Sequence, residues 1–509
     1  MGLLSALVLL STAPQITDAE ALFRLRKIAV PIRTVEVKGD YRDLEPLRKS
    51  IGDSKIVGLG EATHGSREIF QMKHRLFTFL VERMGFTVIA LESSMPQTMA
   101  MDEYVTHGKG DLDAAVKGQG FWTLSTEEVR DLMRWMRAYN LDPKHKQKLH
   151  VVGIDMQDKF PVWQQIVEKA KEAGIKDPAL EEENWFFTQI HSNQEEAVFQ
   201  KVHEWTTAGA PILREKHGEA EAKVFERLET VFRQAWVSGK KAVAQESFLD
   251  EHRGTDKKMS ELSRQATEVL GSSPPSTPDA LWGLQILSRW EEISKSPQTL
   301  AKEGVTARRL SRAQKAVRSS EKGEEFAQGL DYLEKLMDFI ALPVLSPRDL
   351  FMADNLEWIQ KSFAPGSKVV LWAHNSHVGR SRMSGQPLML GSYLEDRYKS
   401  AYFPLGFVFN EGGFRAIANG GSVGTSSFPP AKPGSFDALL ADVGQPRFFL
   451  DVDRADPALK TWLRSPRPWR NIGSSYNAAD PDSHYETLNP AELFRGLIYL
   501  DKLTAAKPL

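Results

Sequence analysis

Cysteine is absent from the 509 residues, and that gap removes disulfides, thiolate metal sites and a Cys nucleophile from consideration. Any bound metal would have to use His and carboxylate ligands. A net field is missing too: Lys plus Arg total 65 against 67 Asp plus Glu. With no basic tract carrying interleaved aromatics, neither nucleic acid nor an anionic membrane is an expected partner. No apolar run approaches the ~20 residues of a membrane helix. The run Leu3 to Leu10 resembles the apolar core of a signal peptide but has no positive flank and no clear small-x-small site after it, so a cytoplasmic and an exported location both stay open.

What is present reads as α/β alternation interrupted by a helical stretch. Lys55-Ile-Val-Gly-Leu-Gly60 is a short β-branched run ending in Gly, followed by a helix with Ile69, Met72, Leu76 and Leu80 at helical spacing that stops at Met84-Gly85. Phe86 to Leu91 and Leu149 to Ile154 read as buried strands, with a helix over Leu124 to Tyr139 between them whose carboxylate-rich start suits an N-terminus. From about 161 to 345 the β-runs disappear, and Trp163, Trp185, Trp205, Trp236, Trp282 and Trp290 are scattered through helix-friendly text. Its spot of Ser and Pro between Gly271 and Pro278 reads as a surface loop. Strands return at Lys368 to Trp372, Phe407 to Phe409 and Phe448 to Val452. The expected division is a tail or signal-like segment 1–24, a first part of an α/β catalytic domain 25–160, a helical insertion 161–345 and a second part 346–509.

Ionisable residues recur at the strand ends. Glu61-Ala-Thr-His64 follows the first strand, Glu92 the second, Asp155 the third and His374-Asn-Ser-His377 the later one. In open α/β sheets ligands bind at the carboxyl ends of neighbouring strands, so these groups share one pocket if the strands are neighbours. A general base needs an imidazole held in one tautomer by a carboxylate, and the set supplies both. Each piece also has a plain structural reading. Glu61 and His64 suit a helix-capping loop, Glu92 a buried ion pair, Asp155 a cap, and Lys73, on the apolar face of its helix, a snorkelling side chain. His374 and His377 at i, i+3 follow a strand rather than sit within a helix, so the helical zinc arrangement does not apply.

The same residues resemble the erythromycin esterase family. Gly58-Leu-Gly-Glu-Ala-Thr-His-Gly65, followed by Arg67-Glu68 and a helix with Lys73, is similar to the opening of that family's catalytic region. Ala90-Leu-Glu92, Gly120-Phe-Trp-Thr123, Trp135 to Asn140, Gly153-Ile-Asp-Met-Gln157, Arg348 to Asn355 and Trp372-Ala-His-Asn-Ser-His-Val378 follow in order. The resemblance implies an α/β fold with a central sheet of the erythromycin esterase/ChaN-like type, a large helical insertion, and hydrolysis of a carboxylic ester or lactone. It places the family's essential histidine on His64, its nearby glutamate on Glu61, the second acid on Glu92 and the histidine pair on His374 and His377. A basic position that is arginine in some members falls on Lys73.

The implied mechanism has His64 take a proton from water, Glu61 or Glu92 orient the imidazole, and His374, His377 and Lys73 stabilise the oxyanion. Asn375, Asp155 and Trp122 are candidate substrate-binding residues, and the aromatic insertion a candidate wall of a wide pocket. No cofactor is required. One alternative places a divalent metal such as zinc or manganese among Glu61, His64, Glu92, His374 and His377; another is a binding protein that holds haem or another ligand in the same crevice. A small-molecule ester or lactone is the expected partner; oligomeric state is not legible, and macrolide resistance rests on the resemblance alone.

Overall fold

The structure, a computed structural model, describes residues 16–509 apart from 38–39, 193, 252–254, 296–304, 321, 342–346, 381–387 and 419–420. The signal-like run Leu3 to Leu10 lies outside the described residues. The segment expected to be a tail as far as residue 24 includes the start of a helix, Asp18–Ile28, closed by a capping box at Thr17 and Glu20 and buried at Ala21 and Leu25. Two compact units divide the chain: Met1–Trp236 with Pro347–Ser381 and Met389–Leu509, and Val237–Ser346 with Arg382–Leu388. The helical stretch 161–345 is therefore shared between them, its first part belonging to the unit that holds the sheet.

The first unit is built on β1 (Val30–Pro31), β2 (Ile56–Leu59), β3 (Phe86–Ser94), β4 (His150–Asp155), β5 (Lys368–Trp372), β6 (Tyr402–Ile417), β7 (Val423–Phe428), β8 (Arg447–Asp451) and β11 (Gly496–Leu503). These run in the order β1-β8-β11-β6-β2-β5-β3-β4, with β7 paired to the far part of β6. A separate two-stranded sheet joins β9 (Arg467–Arg470) to β10 (Tyr485–Leu488). From β11 to β4 every neighbour is parallel. A parallel sheet covered on both faces needs strands that are apolar throughout, which is why β2 and β5 read as unbroken runs. Alternate side chains serve opposite cores: Val88, Ala90, Val369 and Leu371 on one face, Ile89, Leu91, Val370 and Trp372 on the other. Among the described residues no strand interrupts the chain between Asp155 and Lys368.

The helix Arg67–Met84 starts where Ser66 Oγ accepts the Ile69 N–H and ends at Gly85, whose φ of 71° needs a residue without Cβ. The tryptophans expected to wall a pocket do something else. Trp163, Trp205 and Trp236 are buried, and Trp163 stacks on Trp185 and Phe186 with ring centroids 5.7 and 5.0 Å apart. They join the core beneath one sheet face. The second unit has its own core of Leu262, Leu284, Leu287, Trp290, Leu310, Phe326 and Leu330, drawn from helices Thr255–Ser272, Pro278–Leu287, Trp290–Lys295, Ala307–Val317 and Gly323–Ala341. Residues 273–277 form an exposed loop within it, as the composition suggested.

At the edge of the sheet β4 would leave N–H groups unpaired, an invitation to further strands. The helix Met95–His107 caps them instead: Thr98 Oγ1 accepts the Gly153 N–H at 2.7 Å and Asp102 Oδ1 the Val151 N–H at 2.9 Å. Asp102 Oδ2 also lies 3.1 Å from His150 Nδ1. Burial pulls the His150 pKa down, and the hydrogen bond and charge of Asp102 outweigh it, so the net shift is upward. A raised histidine pKa stabilises the fold fully below its ordinary value and loses that contribution as pH rises through the raised one. Asp102→Ala is expected to lower stability by about 1–3 kcal/mol in denaturant titrations at pH 6. It should also flatten the decline in stability from pH 6 upward; an unchanged midpoint would show that the edge does not need this cap.

Candidate functional site

Register brings the strand-end residues together. Leu59 and Leu91 both pair with Trp372, and Leu91 also pairs with Gly153, so β2, β5, β3 and β4 finish in one row. Just past that row stand Glu61, His374, Glu92 and Asp155, as expected of groups at the carboxyl ends of neighbouring strands.

Glu61 is 2% exposed and holds a partner on each oxygen: His64 Nδ1 at 2.6 Å on Oε1 and Lys73 Nζ at 2.5 Å on Oε2. Burial alone would raise its pKa; Lys73 and then His64 outweigh burial and hold it below the usual carboxylate range. Lys73 is fully buried in the second turn of the helix Arg67–Met84, and also donates to the Ala373 carbonyl at 3.2 Å. Its ammonium lies 4.7 Å from the Trp372 ring centre. Burial draws the Lys73 pKa down to about 8 against the pull of Glu61. The carboxylate fixes the His64 tautomer, with Nδ1 donating and Nε2 left as the acceptor. Among the described residues Nε2 has no protein partner, and the His64 side chain is the most open of this trio at 14%.

Glu92 organises the other half. Its Oε2 accepts the His374 backbone N–H at 2.9 Å, and its Oε1 meets Arg348 Nη2 at 2.8 Å and His377 Nε2 at 3.1 Å. Although burial opposes it, His377 and then Arg348 hold the Glu92 pKa well down. Arg348 also grips Asp155 through Nε and Nη2, the shortest contact being 2.7 Å. His377 Nδ1 reaches Asp349 Oδ1 at 2.6 Å. Burial and Arg348 pull the His377 pKa down, yet Glu92 and Asp349 prevail and push it up to about 10.

His374 is the opposite case. Its ring centre lies 4.8 Å from that of His64, its Nε2–H donates to the Ile472 carbonyl at 3.0 Å, and its Nδ1 accepts from the Ser376 hydroxyl at 2.7 Å. Burial, reinforced by His64, takes its pKa down to about 3. The cluster thus holds a neutral histidine and an imidazolium three residues apart. With both ring nitrogens of His374 and of His377 already bonded, neither offers a free N–H to an oxyanion. The hydrogen-bonding role expected of them is corrected on that ground.

The six candidate catalytic residues are gathered in one cluster, whereas the candidate substrate-binding residues are placed differently. The Asn375 amide mimics a peptide, donating to the Phe407 carbonyl at 2.7 Å and accepting the Phe407 N–H at 3.1 Å, which leaves neither end for a ligand. Asp155 is fully buried beneath Arg348. Trp122 is half-buried, its ring under the Arg415 guanidinium. Arg348, Asp349 and Ser376 were not among the expected residues. Arg348-Asp349 opens the block that runs to Asn355, and two adjacent ionisable residues at a helix start were the available signal. For the metal alternative, no group of three His, Asp or Glu side chains among the described residues is arranged to hold an ion. The oxygens of Glu61 and Glu92 already face Lys73, Arg348 and the histidines.

The sequence pattern of the family described as Erythromycin esterase matches residues 81–503, most of the chain. Erythromycin esterase type II of Escherichia coli is 32% identical over 127 residues, a match that spans only 25% of this chain and 29% of that protein. YbfO, a Bacillus subtilis (strain 168) protein named for a hydrolase, is 23% identical over 84% of this chain and 80% of its own. A solved Bacillus cereus protein shares the fold with a TM-score of 0.60 at 22% identity, over 97% of this chain and all of that one.

The opposed histidines make a spectroscopic prediction. Nitrogen-15 spectra of histidine-labelled protein at pH 8 should show His377 doubly protonated and His374 neutral with its proton on Nε2. Glu92→Gln should lower the His377 pKa; a neutral His377 at pH 8 in the native protein would contradict the ion network described above.

Proposed function

The chain belongs to the erythromycin esterase family, and from that premise we propose that this hydrolase cleaves a carboxylic ester or macrolactone with water activated by His64. The observation that carries the reading is the line Lys73–Glu61–His64, in which two buried groups set the tautomer of a third that reaches the surface. A base working near neutral pH needs that kind of support.

His64 Nε2 takes a proton from water while Nδ1–H stays on Glu61. The resulting hydroxide attacks the carbonyl carbon, and the C=O electron pair moves onto oxygen. Collapse of the tetrahedral intermediate breaks the C–O bond, and His64 Nε2–H returns its proton to the departing alkoxide. Atoms balance without a covalent enzyme intermediate. Glu61 and Lys73 act as positioning residues. We assign the oxyanion to Arg348, whose side chain is 22% exposed and whose charge is shared with Asp155 and Glu92. The erythromycin esterase among the relatives makes a macrolide one substrate to test.

Purified protein, offered erythromycin beside a panel of aryl and alkyl esters, is expected to turn over at least one of them with and without EDTA. His64→Ala should reduce kcat by about 10²–10⁴-fold. Loss of activity on chelation would favour a metal-dependent route, and no turnover of any ester would remove the esterase reading. A second prediction follows from the Lys73 pKa near 8. Above that pH Lys73 loses its charge and Glu61 its counterion, so the rate should fall on the alkaline side. Lys73→Arg, which stays protonated, should move that limb to higher pH; an unmoved limb would free Lys73 from the role.

A further inference from the structure

Two loops meet above the row of strand ends. The first carries His64 and is tied to the far part of β6, where the Arg415 N–H donates to the Gly65 carbonyl at 3.0 Å. The approach is so close that a Cβ on Gly65 would lie 2.1 Å from the Arg415 carbonyl oxygen, which explains the glycine. The second runs from Gln119 to Ser125 and is anchored on the end of β3, just beyond Glu92. Ser93 Oγ donates to the Gln119 carbonyl at 2.9 Å, and a Cβ on Gly120 would come within 3.5 Å of Ser94. The Arg415 guanidinium, from the part of β6 that holds Gly65, lies over the Trp122 ring of the second loop at 5.5 Å. That pair spans the distance from the His64 loop to the strand that delivers Glu92.

Arg415 is unusual for its place. Among the described residues no carboxylate lies within ion-pair distance of it, and its Nη1 is shut away with no hydrogen-bond partner. Glu128 supplies only a more distant field, and its own carboxyl is pushed upward by burial. Its oxygens face the Lys507 N–H and Arg67 instead. Arg415 Nη1 itself is closed to solvent, so a ligand meets the guanidinium through its other nitrogens. An aromatic ring on one side of a guanidinium holds its plane and leaves its edge for a bidentate carboxylate.

Resting on the esterase reading, we propose that Arg415, braced by Trp122, is a specificity-determining residue that binds an anionic group on the substrate, so that the preferred esters carry a carboxylate on the acyl or alkyl part. Arg415 takes no part in the proton transfers of His64. Its contribution is to hold the charged end of the substrate while the ester carbonyl faces His64 Nε2.

The test compares the 4-nitrophenyl monoester of glutaric acid with 4-nitrophenyl butyrate, a neutral ester of similar reach. Wild type should favour the charged ester in kcat/KM. Arg415→Met should lose about tenfold or more on it while the neutral ester is unchanged; Arg415→Lys should restore part of the difference. Equal losses on both esters, or no preference in wild type, would overturn the proposal. Calorimetric titration with glutarate separates the two readings. Binding by wild type that disappears in Arg415→Met, in a protein that hydrolyses neither ester, would leave the anion site standing and remove the esterase. Absence of glutarate binding with both esters cleaved would do the reverse.

Discussion

Buried charge at the strand ends is the constraint on which this site depends. Glu61, Asp155 and Asp349 are buried and Glu92 nearly so, where an unpaired carboxylate would cost several kcal/mol. Each is matched: Glu61 by Lys73, Asp155 and Glu92 by Arg348, Asp349 and Glu92 by His377. The partners come from the helix Arg67–Met84, the helix that opens at Pro347, and the turn after β5. Electrostatic pairing thus locks segments distant in sequence around one point, and removing Arg348 would leave Asp155 without a cation.

The pairing also divides labour among histidines. His374, with its backbone on Glu92 and its ring on Ile472 and Ser376, is kept neutral. His377, between two carboxylates, is kept charged. Neither is poised to exchange protons near neutral pH, which leaves His64, with one nitrogen engaged and one open, as the group suited to that task. The same side-chain chemistry serves three ends because the neighbours differ.

Much of this was legible in the sequence because strand ends are legible. Apolar runs at Lys55–Gly60, Phe86–Leu91, Leu149–Ile154 and Lys368–Trp372 located the strands, and polar residues at their C-terminal ends located the cluster. The strand order was not legible, since β5 inserts between β2 and β3 from some three hundred residues away. Arg348 and Asp349 were missed for a related reason: they stand at a helix start rather than a strand end, and only the fold brings that helix to β4. Asn375 misled because a polar side chain beside two histidines looks like a ligand group, whereas its amide completes the pairing of β6. The scattered tryptophans misled because composition does not reveal the direction of a side chain; burial sets that direction.

The central claim is that His64 acts as the base through Nε2. Chemical rescue tests it most directly: His64→Ala assayed with an activated ester in the presence of free imidazole, measuring hydrolysis above the rate that imidazole gives without protein. The account predicts a saturable recovery by imidazole in the mutant and none in a His64→Ala, Glu61→Gln double variant that lacks the carboxylate to orient it. A His64→Ala protein that hydrolyses the ester at the wild-type rate without imidazole would contradict it.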